Sequence, residues 1–377
     1  MKFLLAPDSY KNSLTALEVA EAMKKGIQAE LFEAEIQMLP MADGGEGTVN
    51  ALVDSTGGKY IQAEVFDPLM RKRKATYGLL GDNKTAVIEM AAASGIEILN
   101  EEERNPWITT TYGTGQLMME AVNKGCEKII IGIGGSATID GGVGMARALG
   151  IKFYNNLNQE VGTGGGELSS IEKIDISKLD PRIVQAEIIV ACDVNNLLTG
   201  TEGASFTYGP QKGANREMVE KLDNNLKHLA GKIRQQLNID IENIEGSGAA
   251  GGLGGGLMAF TKAILKPGFD IIRHETHLDE FIKKTDIVFT GEGKIDDQTQ
   301  YGKTPMGVAG VAKKYNKPVI AIAGTLGEGY QLLYNLGFDS IVSVIDKPMQ
   351  LNEALITASE LVERTTRSLV RTLLIQR

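Results

Sequence analysis

The stretch that decides the fold is KIIIGIGGSATIDGGVGMARALG, residues 128–150. It opens with an apolar run, residues 128–131, of the length and β-branched composition typical of a buried strand. A glycine-rich turn carrying Ser136, Thr138 and Asp140 follows, and then apolar residues at helical spacing. A strand that passes through a turn into a helix favours parallel strand pairing with a right-handed crossover. The stretch therefore predicts an α/β protein.

The rest of the chain repeats this alternation, with one exception. The amino-terminal residues predict strand, helix, strand and helix at 2–7, 13–26, 35–39 and from 48 onward. The tail predicts strands at 286–290, 318–323 and 340–344, with helices at 304–315, 329–336 and 351–373. The middle adds a strand at 186–191 and a long amphipathic helix at 216–237. The exception is an antiparallel layer, which the patterns at 60–66, 74–80 and 84–90 predict.

Composition and charge exclude several classes of protein. The chain has 377 residues, of which 42% are hydrophobic and 45 are glycine, and its net charge is −9. An acidic chain is unsuited to bulk nucleic-acid binding, but a few backbone N–H groups and a lysine still suffice for a small anion. No signal-peptide pattern and no apolar run of roughly 20 residues occur, so we expect a cytoplasmic protein without a membrane span. The two cysteines lack the spacing of a zinc site or a disulfide framework.

Two glycine motifs invite a nucleotide-binding interpretation, and both fail in detail. Gly132-x-Gly134-x-x-Ala137 fits a loose dinucleotide fingerprint, but that fingerprint needs an acidic residue about 20 positions later. The next strand candidate, 151–154, ends instead in two asparagines. The triplet at 302–304, Gly-Lys-Thr, suggests a phosphate-binding P-loop, yet Asp297 occupies the position of the required first glycine.

What remains is a set of five polar loops at the ends of predicted strands. They are Asp8-Ser9-x-Lys11, Asp43-Gly44-Gly45-Glu46-Gly47, Ser136-x-Thr138-x-Asp140-Gly141-Gly142, Asp193-x-Asn195 and Gly291-Glu292-Gly293-Lys294-x-Asp296-Asp297. Ligands of open α/β sheets bind at the carboxyl ends of strands, and carboxylates beside phosphates suit Mg²⁺. Lys11 and Lys294 would neutralise phosphoryl oxygens, and a carboxylate would accept a hydroxyl proton. The pattern predicts phosphoryl transfer to a small hydroxylated acceptor.

Other conspicuous residues have an ordinary structural interpretation. The glycine run 246–256 is read either as a helix packed very close to a neighbour, with Ala249, Ala250 and Leu253 inward, or as part of a nucleotide site. The three histidines lie outside every glycine loop, and Cys192 has no histidine beside it in sequence. We therefore expect His228, His274 and His277 to be structural or surface residues, and Cys192 to be a small buried residue rather than a nucleophile.

Taken together, the segments resemble the bacterial glycerate kinase family that forms 2-phosphoglycerate. The resemblance runs in order along nearly the whole chain, through APDSYKNSLTALEVAEAM, PMADGGEGT, EMAAASGI, TTYGTGQLM, GIGGSATIDGG, ACDVNNLLTGTEGASFTYGPQKGA, GSGAAGGLGGGL and DIVFTGEGKIDDQTQYGKTP. It implies a kinase that uses ATP and Mg²⁺ to phosphorylate D-glycerate. It also implies two unlike α/β domains that face a cleft.

Combined with the strand predictions, the resemblance gives approximate domain boundaries. Residues 1–60 plus 280–377 would form a discontinuous Rossmann-like domain with a mainly parallel sheet. Residues 61–279 would form a second α/β domain whose mixed sheet contains the antiparallel strands.

The resemblance also implies roles for the loop residues. Asp193 becomes the candidate general base or metal ligand, and Lys11 and Lys294 become catalytic cations. Substrate or phosphate binding is assigned to Asp8, Ser9, Asp43, Gly44, Gly45, Glu46, Ser136, Thr138, Asp140, Gly141 and Gly142. The metal ligands would come from Asp193, Glu292, Asp296 and Asp297. Three positions depart from the usual family pattern: Ile139, Asn195 and Leu197, of which Asn195 removes a charge near the expected metal.

Two alternatives stay open beside glycerate phosphorylation. One is a kinase for another small hydroxy acid, and the other is a non-catalytic sensor of glycerate or nucleotide. The expected partners are therefore D-glycerate and ATP, with neither nucleic acid nor membrane. The sequence does not fix the oligomeric state and leaves a homodimer open.

Overall fold

The protein is described here from a computed structural model, which covers residues 1–375. Its strands are β1 Lys2–Leu5, β2 Glu35–Met38, β3 Lys59–Phe66, β4 Lys72–Leu79, β5 Thr85–Glu89, β6 Lys128–Gly132, β7 Lys152–Tyr154, β8 Lys173–Asp175, β9 Glu187–Ala191, β10 Ile264–Lys266, β11 Ile287–Ile295, β12 Val319–Leu326 and β13 Ser340–Ser343. Its α-helices are α1 Ala16–Gln28, α2 Thr48–Thr56, α3 Ala91–Ser94, α4 Tyr112–Asn123, α5 Val143–Ala148, α6 Pro181–Gln185, α7 Ala204–Tyr208, α8 Arg216–Leu237, α9 Ala249–Thr261, α10 Gly268–Glu275, α11 Leu278–Lys284, α12 Thr304–Lys314, α13 Leu351–Ile356 and α14 Ala358–Leu374.

These elements divide into two compact units. The first unit combines Met1–Gly57 with the chain from Phe269 onward, and the second is Gly58–Gly268. The boundaries expected from the sequence, at residues 60 and 280, stay predictions for the domains. Within the described residues, no helix is long and apolar enough to span a membrane.

The first unit is built on a five-stranded sheet in which every pair is parallel. The strand order is β13-β12-β11-β1-β2. Phe3 pairs with Ile287 in the centre of this sheet, and both side chains are buried in the core beneath it. The mainly parallel sheet expected for the two ends of the chain is confirmed.

Helix α1 shows how local sequence and packing combine in this unit. Its first turn has a capping box, because Thr15 Oγ1 accepts from the Glu18 N–H while the Glu18 carboxylate accepts from the Thr15 N–H. Its buried face packs against α14. Gly26 allows that approach, since a Cβ there would lie 2.5 Å from the carbonyl oxygen of Glu363.

The second unit contains a mixed six-stranded sheet of order β10-β9-β6-β5-β4-β3. Strands β10, β9, β6 and β5 are parallel, whereas β3 and β4 pair antiparallel with each other and β4 pairs antiparallel with β5. The predicted antiparallel layer is therefore confirmed. The predicted strand at 151–154 also forms, as β7, but it pairs with β8 in a separate two-stranded sheet.

Four predicted elements of the tail differ from the structure. The single closing helix predicted at 351–373 is divided at Thr357, whose backbone has φ −97° and ψ 11° and whose hydroxyl donates to the carbonyl of Glu353 at 2.8 Å. The predicted helix at 329–336 is a 3₁₀ helix, Tyr330–Leu336. Strands β11 and β12 run farther than predicted because glycine lets them approach closely: a Cβ on Gly291 would lie 1.9 Å from the carbonyl oxygen of Ile322. The loop predicted at 291–297 is therefore wrong in its first part, since residues 291–295 belong to β11.

Candidate active site

The first unit presents polar side chains at the point where its strand order reverses. From β1 the chain proceeds through α1 to β2 on one side, and from β11 it proceeds through α12 to β12 on the other. Ligands of open α/β sheets bind in the crevice outside such neighbouring strand ends. Asp8 follows β1 there, and its N–H donates to the carbonyl of Gly291 in β11 at 2.8 Å. Glu292 is the next residue of β11.

Asp8 is the carboxylate with the most strongly altered acidity in this region. One of its oxygens accepts from the Thr304 hydroxyl at 2.5 Å, and the other accepts from the Ser9 N–H at 2.6 Å. Burial raises the pKa of Asp8 to about 7, and the nearby Asp43 and Glu292 carboxylates raise it further against the opposing Thr304 hydrogen bond. A group that titrates near neutral pH is suited to proton transfer.

Glu292 lies in a partly buried network with two residues that the sequence analysis did not select. Its carboxylate accepts from the Thr299 hydroxyl at 2.7 Å and lies 3.2 Å from the Lys303 ammonium. Burial raises the pKa of Glu292, while Thr299 and Lys303 oppose that shift. Lys303 and Thr304 belong to the 302–304 triplet, which does not form a P-loop motif. They nevertheless contact the carboxylates of Glu292 and Asp8.

The loop at 43–47 is shaped by its backbone. Gly44 and Gly47 have φ values of +99° and +88°, a left-handed region that glycine adopts without strain. The Asp43 carboxylate accepts from the Gly45 N–H at 3.0 Å. Lys11 lies 3.8 Å from Glu46, and both side chains are exposed. Lys11 therefore lies in solvent beside the 43–47 loop, which is predicted to bind substrate.

The predicted catalytic lysine Lys294 is paired with a predicted metal ligand. Its ammonium lies 2.8 Å from the Asp296 carboxylate. This contact lowers the pKa of Asp296. Asp296 also caps a short 3₁₀ helix, Asp297–Gln300, by accepting from the Gln298 N–H at 3.1 Å. Asp297 donates its own N–H to the carbonyl of Glu328.

Across residues 1–375, no group of three or more histidine, cysteine, aspartate or glutamate side chains is arranged to hold a metal ion. Mg²⁺ in phosphoryl-transfer sites is commonly held by one or two carboxylates together with substrate phosphates and water. Glu292 and Asp296, two of the predicted metal ligands, offer carboxylate oxygens that fit that chemistry, and a binding site made by protein and nucleotide together does not need a third acid.

In the second unit, the glycine loop after β6 is held by Asp140 from within. The buried Asp140 carboxylate accepts from the Thr111 N–H at 2.8 Å, from the Thr111 hydroxyl, and from the N–H groups of Gly142 and Gly144 at 3.2 Å. Burial raises the pKa of Asp140, and these hydrogen bonds oppose the shift. Asp140 therefore fixes the end of the loop against α4.

The glycine run at 246–256 packs directly on this loop. A Cβ on Gly251 would lie 1.9 Å from the carbonyl oxygen of Thr138, and one on Gly256 would lie 2.4 Å from that of Gly141. Helix α9 is kinked at Ala250–Gly252, where all three residues have positive φ. The close-packing interpretation of the run is confirmed, with Ala249 and Leu253 buried and Ala250 partly buried.

A lysine that the sequence analysis did not select lies beneath the loop. Lys212 is 1% exposed, and its ammonium donates to Ser136 Oγ at 2.6 Å and to the Thr138 carbonyl at 2.8 Å. Burial lowers the pKa of Lys212 to about 7, against the opposing charge of Asp140. A lysine between Gln and Gly after a proline reads as an exposed turn, so only the resemblance, which included it in YGPQKGA, pointed to this segment.

The remaining predicted residues of the second unit lie after β9. Asp193 is exposed and accepts from the Gly268 N–H at 3.0 Å, and Asn195 is exposed as well. Cys192 donates its thiol to the carbonyl of Val194 at 3.4 Å, and burial raises the pKa of that thiol. His228 lies 2.7 Å from the Ile171 carbonyl, which supports its structural interpretation.

Comparison with known proteins shows what this chain is similar to. The model of the "Glycerate kinase family" matches residues 3–374. The chain is 49% identical to a "Glycerate kinase" of Halalkalibacterium halodurans, covering 97% of this chain and 96% of that protein. It is 49% identical to a "Glycerate 2-kinase" of Escherichia coli, covering 100% and 98%.

The fold agrees as well. A crystal structure from Salmonella typhimurium LT2, described as that of a glycerate kinase 2, superposes with a TM-score of 0.93 at 48% identity and covers 100% of this chain and 99% of that one. A family match over nearly every residue, together with relatives of about half identity along the full length, leaves one assignment: the chain belongs to the glycerate kinase family.

Proposed function

We propose that this protein transfers the terminal phosphoryl group of ATP to the 2-hydroxyl of D-glycerate, releasing 2-phospho-D-glycerate and ADP. The observation that carries the proposal is the 49% identity to the Escherichia coli glycerate 2-kinase over essentially both whole chains. The five polar segments described in the sequence analysis are all present in this chain, and their chemistry agrees with phosphoryl transfer.

The reaction needs a group that accepts the proton of the attacking hydroxyl. We assign that role to Asp193, and Asp8 is the second carboxylate suited to it because its pKa lies near neutrality. The exposed ammonium groups of Lys11 and Lys294 would neutralise phosphoryl oxygens, a role that requires access to solvent-borne nucleotide. The loops at 43–47 and 136–142 would hold substrate or phosphate.

When bound with ATP, Mg²⁺ would supply charge neutralisation on the phosphates. We propose that the residues holding it come from Asp193, Glu292, Asp296 and Asp297. Glu292 and Asp296 contact the Lys303 and Lys294 ammonium groups, which would add positive charge for the phosphates beside the ion. We further propose a cytoplasmic location. Light scattering of the purified protein would measure its molar mass and so test whether it is a homodimer.

The test is ADP release measured with ATP, Mg²⁺ and D-glycerate, with the product resolved by phosphorus NMR. We expect turnover that depends on both D-glycerate and Mg²⁺, with 2-phosphoglycerate as the product. A 3-phosphoglycerate signal would contradict the assigned hydroxyl. Turnover only with another acid in a panel of small hydroxy acids would contradict the acceptor, and binding of glycerate or ATP without turnover would identify a sensor.

A further inference from the structure

The Lys212 side chain is unusual because it is fully buried and its hydrogen-bond partners carry no charge. Lys212 ends the 3₁₀ helix Pro210–Lys212 and is 1% exposed, although lysine is almost never fully buried without a paired charge. Its two hydrogen bonds go to neutral oxygens, Ser136 Oγ and the Thr138 carbonyl. A basic group therefore lies under the glycine loop without a carboxylate of residues 1–375 in contact with it.

The direction of these hydrogen bonds sets the role of the Ser136 hydroxyl. An ammonium group only donates, so Ser136 Oγ accepts from Lys212 and its own hydrogen is available to another acceptor. Ser136 adjoins Gly134 and Gly135, which are exposed at the tip of the loop. The hydroxyl is thus a donor polarised by a cation behind it and located beside solvent.

Thr138 adds a second hydroxyl to the same loop. Its side chain is fully buried, and Thr138 Oγ1 has no hydrogen-bond partner among the described residues. A buried hydroxyl without a partner is unfavourable, and such groups in native proteins call for an explanation such as a bound ligand or water. Its backbone carbonyl is held by Lys212, so both hydroxyl-bearing residues depend on the same ammonium.

We infer that Ser136 and Thr138 form an oxyanion-binding subsite, in which Lys212 is the positioning residue that holds the loop and supplies the positive charge. This inference rests on the proposed function and assigns a role within it. The ligand is an anionic oxygen group, either the carboxylate of the hydroxy acid or a phosphate of the nucleotide. Both present oxygens that accept hydrogen bonds from hydroxyl groups, and the experiment distinguishes them.

The acidity of Lys212 agrees with this role. Its pKa of about 7 leaves the ammonium only partly protonated at neutral pH, and an oxyanion bound at the loop would favour the charged form. Two titratable groups face it from the packed elements: Asp140 in the loop, and Tyr208 at the end of α7, whose ring centre lies 5.9 Å from the ammonium.

The experiment compares Ser136→Ala, Lys212→Met and the double variant with the wild type, using separate KM values for D-glycerate and ATP. We expect each single variant to raise one of the two KM values about tenfold or more and to leave the other within about twofold. The double variant should be no worse than Lys212→Met, because both changes remove one subsite. Lys227→Met, on the exposed face of α8, is the matched control and should change neither KM.

The affected substrate identifies the source of the anion: the KM for D-glycerate reports a carboxylate, and the KM for ATP reports a phosphate. No change in either KM, or an equal rise in both, would overturn the inference, since a loop that had merely lost its structure would affect both substrates. Should Lys212→Met fail to fold, Ser136→Ala alone decides.

Failure of the proposed function is recognised separately. If the wild type turns over no glycerate, calorimetric titration of D-glycerate and of ATP into the wild type and Ser136→Ala still measures the subsite. Weaker binding of one of these ligands by the variant supports the subsite without any activity, and equal binding of both overturns it.

Discussion

The two units prepare their candidate sites by different means. In the first unit, side chains meet at strand ends: the Asp8 carboxylate accepts from Thr304, 296 positions away in sequence, and Glu292 accepts from Thr299. In the second unit, the backbone is shaped first, because glycines of α9 pack against the carbonyls of Thr138 and Gly141.

The difference has a consequence for substitutions. In the first unit a carboxylate or hydroxyl can be exchanged with little change in packing, so its loss should affect chemistry more than folding. In the second unit the loop conformation itself depends on missing β-carbons, so a single added methyl group should affect folding first. Asp193 is the test case between them, since it is an exposed side chain on the second unit.

The largest expected effect is on the stability of the second unit. Gly251→Ala would place a Cβ 1.9 Å from the Thr138 carbonyl at a residue with φ +70°. The left-handed backbone and the forced overpacking together should lower the free energy of unfolding by about 2–5 kcal/mol. The measurement is chemical denaturation of the purified variant.

Gly231→Ala is the matched control, because it lies within α8 of the same unit and a Cβ there meets nothing within 4 Å. Alanine in a helix interior is favoured over glycine by about 1 kcal/mol, so this variant should be slightly more stable than the wild type. Equal stability of the two alanine variants would show that the close packing of α9 on the loop does not determine the loop conformation.

The next effect is on turnover. Asp193→Asn keeps the shape of the side chain but removes the proton acceptor, and it should lower kcat by ~10²-fold or more if Asp193 is the base. Asp8→Asn is the comparison in the first unit, and Asp175→Asn on β8 is the control, which should be near normal. Near-normal turnover of Asp193→Asn together with a large loss in Asp8→Asn would transfer the role of base to Asp8.

Much of the fold followed from local patterns, because each strand and helix carried its own periodicity. The parallel sheet of the first unit and the antiparallel β3–β4 pair are examples. The division of the closing helix at Thr357 was not predictable, because the periodicity continues across it and the break depends on local backbone geometry. The strand at 151–154 was found, but its pairing with β8 depends on packing that no local pattern contains.

The positions of most of the polar loops were predictable from the sequence, but the contacts of their side chains were not. Glycine and acidic residues correctly marked the chain that follows β1, β2, β6 and β9, but residues 291–295 of the fifth predicted loop lie within β11. The partners of those acids, Thr304, Thr299 and Lys303, come from distant or unremarkable positions. Lys212 was missed for the same reason: burial of a lysine is a property of tertiary packing, and the sequence around it resembles an exposed turn.

A smaller effect concerns the pH dependence of stability that the buried Lys212 contributes. The pKa of Lys212 falls from 10.5 to about 7 on folding, so the unfolded chain binds more protons between these values and stability rises with pH across that window. Lys212→Met should remove this contribution, which is at most about 1.4 kcal/mol between pH 8 and 9. Scanning calorimetry at both pH values measures it, and identical pH dependence in the variant would contradict the lowered pKa.

The smallest effect concerns Asp8 and has the opposite sign. The pKa of Asp8 rises from 3.8 to about 7 on folding, so the folded state retains a proton that the unfolded chain releases, and stability falls as pH rises through this window. Asp8→Asn should remove a dependence of at most about 1.4 kcal/mol between pH 5 and 6, because the folded state holds at most one more proton than the unfolded chain in that window. Calorimetry of the metal-free protein measures it. Each substitution should remove one contribution to the change of unfolding free energy with pH, and the two contributions should have opposite signs. Contributions of the same sign would contradict the contrast between an acidic site in the first unit and a cationic site in the second.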